Sequence, residues 1–307
     1  MRTAFLQKII ALMNEHDDVV TLTADMGFSV FEDVQKQFPK RFFNTGVTEQ
    51  SSISIAAGFA LSGYKVFFYA QAPFATMRCF EQIRLDIAYN HLNVKIVGAA
   101  SGFSSNQLGV SHFALEDVAL MRLLPNMTIF TPGDPIEATW ATTQAYGING
   151  PAYIRISKSG SPIVHKSFEG VKIGKGVKII DGEEFSLFVS GSLLPLGKEI
   201  IEYFGKIGRK GSLISMVTIK PIDKDLILKE ARRTKMILTL EEHSIIGGLG
   251  SAVAEILAVS GINVKFMPLG VPDKFTGITG SQSYLLQYNG LSKEKIVKKM
   301  QKYIKNE

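Results

Sequence analysis

Short apolar runs alternate with helical patterns along the first half of the chain. The run at 19–24 is apolar and β-branched, which predicts a buried strand, and similar runs follow at intervals. The predicted strands are 19–24, 42–44, 65–70, 94–99, 127–130 and 152–156, and the main predicted helices are 3–15, 53–61, 73–89 and 135–146. Buried strands that alternate with helices predict a parallel sheet covered by helices on both faces.

A second pattern of the same kind begins after a polar segment that contains several glycines and prolines. This segment has no strong period, so we interpret 161–178 as a linker. Apolar runs at 185–189, 211–216, 236–240 and 264–267 predict the strands of a further sheet. We therefore predict an α/β protein with two domains, a parallel-sheet domain over 1–160 and a smaller α/β domain over 179–307.

The stretch 44–61 is distinctive because a glycine turn that carries one acid leads directly into a small-residue apolar helix. Ile53, Ala56, Ala57, Ala60 and Leu61 recur at helical spacing, which predicts a tightly packed helix. The small residues Ala57, Gly58 and Ala60 leave room for another backbone or a partner helix to approach closely. Glu49 falls near the N-terminus of this helix. One interpretation is a carboxylate that is favourable with the helix dipole. The other is an acid placed for proton transfer.

Ligands of parallel sheets bind at the carboxyl ends of the strands, so residues at those ends are candidates for a site. The candidates are Asp25, Ser29, Glu49, Phe74 and the loop 101–112. No nucleotide-binding glycine motif follows the first strand, and the glycines at 247–250 predict a tight, closely packed turn. His112 with Glu116 and Asp117 supplies too few ligands to predict a metal site.

Composition and charge narrow the classes of function. Hydrophobic residues make up 46% and charged residues 20% of the 307 residues, which is typical of a globular protein. The net charge is only +6, and the densest basic cluster, at 293–305, favours a solvated helix face over nucleic-acid binding. The single cysteine, Cys79, excludes an intramolecular disulfide and suits a reducing compartment. Without a signal peptide or a membrane-spanning apolar run, we expect a soluble cytoplasmic protein that binds neither nucleic acid nor membranes.

Several blocks of the sequence resemble those of the transketolase family. Residues 46–50 (Gly-Val-Thr-Glu-Gln), followed by Gly-Phe-Ala at 58–60, resemble the thiamine-diphosphate pyrimidine-binding domain of transketolases. Residues 74–84 and 112–127 are similar to the next two blocks of that domain. Residues 219–223 and 241–255 resemble the family's C-terminal domain. Because the blocks follow the family's order over nearly the whole chain, the resemblance implies a pyrimidine-binding domain followed by a transketolase C-terminal domain.

The family's Gly-Asp-Gly…Asn segment, which holds Mg²⁺ and the diphosphate of the cofactor, is absent from this sequence. The resemblance therefore implies the C-terminal, β-type half of a split transketolase, with thiamine diphosphate and Mg²⁺ as cofactors. The expected partner is an N-terminal subunit that carries the diphosphate-binding domain and the Mg²⁺ ligands, so we expect no metal ligand in this chain. An α₂β₂ assembly with a homodimer contact is expected, because the cofactor lies between domains of different chains.

The same resemblance implies roles for individual residues. Glu49 matches the glutamate that hydrogen-bonds N1′ of the cofactor's pyrimidine, and Phe74 matches the aromatic residue that packs on that ring. The implied catalytic residues are Glu49 and His112, and the implied cofactor-binding residues are Glu49, Phe74, Gln71 and Val47. The implied substrate-binding residues are Ser29, Asp25, Arg2, Arg155 and Lys158.

Four positions depart from the family's pattern. Gln71 replaces a second aromatic residue, Ala100 replaces a histidine of the substrate channel, and Leu108 replaces the aspartate that binds the donor's C2 hydroxyl. Lys158 stands where a phosphate-binding arginine is usual, and Arg155 is the nearby residue that could substitute for it. These departures favour a specialised sugar substrate over ordinary pentose phosphates.

We therefore expect a transferase that moves a two-carbon ketol unit from a ketose, or ketose phosphate, to an aldose and that is active only with its partner subunit. One alternative is a 2-oxoacid dehydrogenase β subunit or an enzyme like deoxyxylulose-phosphate synthase, which would use a 2-oxoacid and release CO₂. The other alternative is a non-catalytic subunit that retains the fold, although the intact Glu49 favours an enzyme.

Overall fold

Two β-sheets with helices on their faces make up the chain, in a computed structural model that describes residues 1–27, 30–158 and 160–305. The strands are β1 (Val19–Thr23), β2 (Phe42–Asn44), β3 (Lys65–Gln71), β4 (Val94–Ala99), β5 (Thr128–Phe130), β6 (Ala152–Ile156), β7 (Val177–Ile180), β8 (Phe185–Ser190), β9 (Gly211–Ser215), β10 (Thr218–Lys220), β11 (Met236–Ser244) and β12 (Lys265–Val271). The α-helices are α1 (Arg2–Glu15), α2 (Glu32–Gln37), α3 (Glu49–Leu61), α4 (Phe80–Gln82), α5 (Asp117–Leu123), α6 (Pro135–Gly147), α7 (Leu194–Lys206), α8 (Lys224–Arg233), α9 (Leu249–Ala258), α10 (Gln282–Tyr288) and α11 (Lys293–Lys305). Across these described ranges, no helix is both long enough and apolar enough to cross a membrane.

The first sheet has seven strands in the order β10-β5-β6-β4-β3-β1-β2. Its strands are parallel except for β10, which runs antiparallel to β5. The strands that the sequence predicts for the first domain end with 152–156, but the sheet has a further strand, because β10 joins it from the second half of the chain. The backbone N–H of Thr131 donates to the Val217 carbonyl at 2.8 Å beside this pairing. The two halves of the chain therefore share one sheet.

The second sheet has five strands in the order β12-β11-β8-β9-β7. Its strands are parallel except for β7, which runs antiparallel to β9. Because β7 begins at Val177, residues 177 and 178 belong to this sheet and not to a polar linker. Parallel strands dominate both sheets and helices pack on them, so the predicted α/β class is confirmed.

The helix predicted over 73–89 has a different form. Phe74–Arg78 and Ile83–Tyr89 are π-helical, and the short helix α4 lies between them. A π-helix is bonded from i to i+5, so each turn holds more residues than in an α-helix. Apolar spacing does not separate the two forms over one or two turns, which is why the sequence predicts a plain helix. The first π-helical segment follows β3 closely and places Phe74 and Arg78 at the carboxyl edge of the first sheet.

Helix α3 packs against β1 and β3 through small residues, as the sequence predicts. Ile53, Ala56 and Ala57 are buried as predicted, but Leu61, which the sequence predicts as part of the same packed pattern, is 74% exposed because it is the last residue of the helix. Ile55, on the outer face, is also exposed. The small buried side chains let the backbone of α3 approach the sheet closely. This packing fixes the N-terminus of α3, where Glu49 lies.

The second domain packs against α5 at the glycine turn before α9. Arg122 Nη1 donates to the Gly247 carbonyl at 2.7 Å across this contact. Within the turn, the Glu241 carboxylate accepts from the backbone N–H groups of Leu249 and Gly250, each at 2.7 Å. A carboxylate suits this position because the N-terminus of a helix favours negative charge. The glycines therefore form the tight, closely packed turn that the sequence predicts.

Candidate active site

Glu49 is placed at the carboxyl edge of the first sheet by the turn between β2 and α3. Gly46 in this turn has a φ of +72°, a left-handed conformation that favours glycine. Asn44 Oδ1 accepts from the backbone N–H groups of Gly46 and Asp25, each at 3.0 Å, and so ties the ends of β1 and β2 together. Glu49 is the first residue of α3, and its side chain is only 5% exposed. The turn thus holds a buried carboxyl group at a helix N-terminus.

Glu49 forms a close ion pair with Arg78. Arg78 Nη1 donates to Glu49 Oε2 at 2.6 Å, and the guanidinium carbon lies 4.3 Å from the centre of the Phe74 ring. The Arg78 side chain is 43% exposed, so this ion pair is open to solvent on one side. Sequence reasoning missed Arg78 as a site residue because its partner lies 29 residues earlier and no local spacing joins the two. Its place in the block 74–84 is the signal that could have indicated it.

Phe74 links this pair to the loop that carries His112. The rings of Phe74 and His112 meet edge to face, with their centroids 5.0 Å apart and their planes at 71°. His112 Nδ1 lies 2.9 Å from Ser111 Oγ, within hydrogen-bond distance. We call Glu49, Phe74, Arg78 and His112 the Glu49 cluster. The structure therefore brings together three of the predicted site residues, Glu49, Phe74 and His112.

Cys79 is buried next to this cluster and is not a nucleophile. Burial, together with the negative charge of Glu49, raises the pKa of the Cys79 thiol to about 12. The thiol donates a hydrogen bond to the Phe74 carbonyl at 3.1 Å. A thiol that stays protonated is unreactive. Cys79 therefore adds no reactive thiolate to the Glu49 cluster.

A cavity of about 580 Å³ collects a second group of predicted residues. Its wall includes Arg2, Gln71 and Lys158, all three predicted from the sequence, together with Ala100 and Leu108 at two of the positions that depart from the family's pattern. The two basic residues give the wall positive charge. The cavity therefore has the character of a site for an anionic or strongly polar ligand.

The cavity adjoins the Glu49 cluster along the chain. Gln71 ends β3, just before the π-helical segment that carries Phe74, and its Nε2 donates to Ser105 Oγ in the cavity wall. The loop that continues from Ser105 ends at His112.

Burial raises the pKa of Tyr69, a further residue of the cavity wall, to about 12, and the positive charge of Arg2 opposes this rise only in part. Tyr69 therefore stays a neutral hydroxyl at neutral pH.

Two other predicted residues, Val47 and Asp25, lie elsewhere. Val47 is 69% exposed on the turn before Glu49, and Asp25 is exposed at the end of β1 with a φ of +46°. Neither residue contributes to the wall of the cavity or to the contacts of the Glu49 cluster. Ser29 lies outside the residues that the structure describes.

Arg155 is buried in the interior and not at the substrate site that the resemblance implies. Its side chain is 4% exposed, Nε donates to Asp117 Oδ2 at 2.7 Å, and Nη2 donates to the carbonyls of Ala114 and Glu242 at 2.7 and 2.9 Å. Tyr153 donates to the same carboxylate oxygen at 2.6 Å. Burial alone would lower the pKa of Arg155, but the Asp117 carboxylate outweighs it and holds the pKa above its ordinary value. These contacts hold the guanidinium inside the protein, so we do not assign Arg155 to the substrate site.

A resident metal ion would need several ligands close together. Within 1–27, 30–158 and 160–305, no group of three or more His, Cys, Asp or Glu side chains is arranged to hold a metal ion. Magnesium is usually bound through carboxylate and phosphate oxygens. The described part of this chain therefore shows no cluster of side chains to which a Mg²⁺ ion can be assigned.

Comparison with known proteins identifies the family. The sequence profile of the transketolase pyrimidine-binding domain matches residues 1–162, and that of the transketolase C-terminal domain matches residues 174–296. The chain belongs to the transketolase family. The resemblance seen in the sequence blocks is thus confirmed, and both domain types that it implies are present in the predicted order.

Transketolase relatives match this chain over nearly their whole length. A putative transketolase C-terminal section of Methanocaldococcus jannaschii is 37% identical, over 100% of this chain and 97% of the relative. One of the subunits of apulose-4-phosphate transketolase from Phocaeicola vulgatus is 32% identical, over 99% of this chain and 97% of the relative. A solved structure described as a split-gene transketolase, an inactive β4 tetramer, has a TM-score of 0.88 and 36% identity, over 98% of this chain and 96% of that chain. These matches confirm the resemblance to the C-terminal, β-type half of a split transketolase.

Proposed function

We propose that this chain is the C-terminal subunit of a split, thiamine-diphosphate-dependent transketolase that transfers a two-carbon ketol unit from a ketose to an aldose. The observation that carries the proposal is the pairing of a buried carboxyl group, Glu49, with an aromatic ring, Phe74, around one planar guanidinium group. A flat heterocycle with polar edges needs such a pair, because its face requires an apolar surface and its edge a hydrogen-bond partner. The position at the carboxyl ends of parallel strands also supports a ligand site.

The Glu49 cluster fits the aminopyrimidine ring of the cofactor. The Arg78 guanidinium is itself planar, carries N–H donors, stacks on Phe74 and bonds to Glu49, so these partners accept a flat nitrogen-containing group. When bound, thiamine diphosphate supplies the electron sink for cleavage and formation of the ketol carbon–carbon bond. Glu49 would hold a proton at N1′ of the ring, and its low exposure keeps water from that contact.

The cavity beside the cluster is proposed as the site of a sugar or sugar-phosphate substrate. Arg2 and Lys158 give its wall two cationic side chains, which suit a phosphate or another anionic group. Ala100 and Leu108 are part of the same wall, and their apolar side chains form no hydrogen bonds with a ligand. This combination supports a specialised substrate, since the sugar hydroxyl groups must find other partners there.

The remaining predicted residues keep proposed roles around this centre. His112, at the edge of the Phe74 ring, is proposed as a second catalytic residue, and Gln71 as a contact between cofactor and substrate sites. Val47 is proposed to contact the cofactor, since it lies on the exposed turn before Glu49. Asp25 and Ser29 are proposed substrate contacts from the segment after β1.

An N-terminal transketolase subunit is the proposed partner, and it would supply the diphosphate-binding domain and the Mg²⁺ ligands. The names of the two relatives, a C-terminal section and a transketolase subunit, support a split enzyme. We propose an α₂β₂ assembly in which two copies of this chain contact each other.

The test is turnover by the complex of this chain with the product of an adjacent reading frame, in the presence of thiamine diphosphate and Mg²⁺. Glu49→Gln keeps the size of the side chain but removes its acid group, and we expect kcat for ketol transfer to fall by about 100-fold or more. The matched control is Glu169→Gln, because Glu169 is exposed in the segment between the two sheets.

Full turnover by the Glu49→Gln complex would contradict the catalytic role of the carboxyl group. Release of CO₂ from pyruvate by the wild-type complex, without ketol transfer, would replace the proposed reaction with a decarboxylating one. Cofactor binding without turnover of any ketose or 2-oxoacid would favour the non-catalytic subunit.

A further inference from the structure

The guanidinium of Arg78 makes both contacts that the proposed function requires of a bound aminopyrimidine ring. Its Nη1 donates to the Glu49 carboxylate at 2.6 Å, and its central carbon lies 4.3 Å from the centre of the Phe74 ring. A guanidinium is planar, delocalised and edged with N–H donors. An aminopyrimidine is also planar and delocalised and carries N–H donors on its amino group, while its N1′ is an acceptor that bonds to Glu49 through a shared proton. One planar side chain of the protein therefore fills the place between Glu49 and Phe74.

Resting on the proposed function, we propose that Arg78 is an internal placeholder for the pyrimidine ring of the cofactor. Its guanidinium holds the ring's position in the cofactor-free chain and moves out toward solvent when the ring binds. Binding of the cofactor is then an exchange of one planar group for another on the same two partners, Glu49 and Phe74. The affinity of the site for the ring depends on how easily Arg78 leaves.

Arg78 is able to leave because its contacts are weak and its side chain is near solvent. The side chain is 43% exposed, whereas the structural arginine of the interior, Arg155, is 4% exposed. One half-exposed ion pair and one cation–π contact each stabilise a side chain only slightly. Their sum corresponds to a factor of about five to ten in the affinity of a competing ring.

The placeholder has a second effect on the cofactor-free chain, which is to neutralise a buried acid. The Glu49 side chain is 5% exposed, and a buried carboxyl group is costly unless a cation or hydrogen-bond partner pairs with it, so Arg78 leaves easily only as the ring takes over its hydrogen bond to Glu49. Arg78 provides both the charge and the donor and also covers the face of the Phe74 ring. The contact that stabilises the cofactor-free chain is thus the one with which the ring must compete.

The probe for this exchange is 4-amino-5-hydroxymethyl-2-methylpyrimidine, the neutral ring portion of the cofactor without thiazolium or diphosphate. Its Kd is measured by NMR titration of the full-length chain, for wild type and for Arg78→Ala. The matched control is Arg232→Ala, which removes an exposed arginine of α8 in the second domain. Because the probe is uncharged, a change in affinity does not arise from charge repulsion between ligand and arginine.

We expect Arg78→Ala to bind the probe about five- to tenfold more tightly than wild type, and Arg232→Ala to match wild type. Adding Phe74→Ala to Arg78→Ala should abolish the gain, since the ring then loses the surface on which it stacks. Arg78→Lys keeps the positive charge but not the planar group, so it should also bind more tightly than wild type. This variant carries the test if the alanine variant folds poorly.

Equal affinity of wild type and Arg78→Ala would overturn the placeholder, and weaker binding by Arg78→Ala would make Arg78 a ligand of the ring instead. Absence of binding by every variant would also overturn it, because loss of the side chain should open the ring site. A purely structural role of Arg78 predicts a lower Tm for Arg78→Ala with no gain in affinity. The proposed function is judged separately by turnover of the Glu49→Gln complex, so failure of one inference is distinguishable from failure of the other.

Discussion

Replacement of Asp117 by asparagine should destabilise the protein strongly, because it leaves the buried guanidinium of Arg155 without its counter-charge. The Asp117 side chain is 0% and the Arg155 side chain 4% exposed, and Arg155 Nε lies 2.7 Å from Asp117 Oδ2. Burial alone would raise the pKa of Asp117, but Arg155, with smaller contributions from His243 and Tyr153, outweighs it and lowers the pKa. Removing one partner of a buried pair costs about 3–5 kcal/mol.

The corresponding change in Tm follows from the length of the chain. An unfolding entropy of about 2.1 cal/mol/K per residue, taken over 307 residues, gives about 0.6 kcal/mol/K. A loss of about 3–5 kcal/mol therefore lowers the Tm of Asp117→Asn by about 5–8 °C, if the chain unfolds as one unit. Differential scanning calorimetry of the purified variants measures this shift and also shows whether unfolding is a single transition.

Asp225→Asn is the matched control for this prediction, because it makes the same chemical change in an exposed ion pair. Asp225 is 91% exposed, and its Oδ2 lies 3.5 Å from Lys175 Nζ. Exposed pairs contribute little to stability, so its Tm should change by no more than about 1–2 °C. Equal shifts for the two variants would refute the reasoning. Adding Arg155→Met to Asp117→Asn should restore much of the Tm, because no unpaired charge then remains buried.

Two further predictions concern pH and the glycine turn. Burial, with a smaller contribution from Lys65, lowers the pKa of Lys95 to about 7 from an ordinary value of 10.5. Between pH 7 and 10.5 the Lys95 side chain is protonated in the unfolded chain but has released its proton in the folded protein. The free energy of unfolding should therefore rise with pH, by up to about 1.4 kcal/mol per pH unit. Thermal unfolding of Lys95→Met should not show this rise. Gly248→Ala would place a Cβ 2.0 Å from Glu241 Oε2 and should cost about 1–3 kcal/mol in urea unfolding. Gly205→Ala, whose Cβ would meet nothing within 4 Å, should be neutral or stabilising. Parallel pH profiles of wild type and Lys95→Met, or equal urea midpoints of the two glycine variants, would contradict these expectations.

Regular elements with strong local patterns could be predicted from the sequence. The strands 42–44, 94–99 and 152–156 are present with the predicted bounds. Strand β10 was missed because its three residues carry no detectable period and pair with β5, which lies far away along the chain. Pairing of this kind depends on the whole fold, so local spacing does not indicate it.

The candidate site shows the same division between local and distant information. The motif around Glu49 and the block that begins at Phe74 are local patterns, and the sequence identified both. The contact between Arg78 and Glu49 depends on how α3 and the π-helical segment pack together, and no spacing within either segment predicts it. Arg155 was misplaced for a related reason, since its partner Asp117 lies on another element. Sequence position alone did not show that this arginine points into the interior.

The participation of β10 in the first sheet has a consequence for synthesis of the protein on the ribosome. Until residues 218–220 have emerged, the outer edge of β5 has no neighbouring strand, although the other strands of that sheet have already been made. An unpaired strand edge exposes backbone donors and acceptors to other chains and is prone to aggregation. The nascent N-terminal half thus carries an open edge through the translation of β7, β8, α7 and β9. Completion of the first sheet therefore waits for residues 218–220 from the second half of the polypeptide.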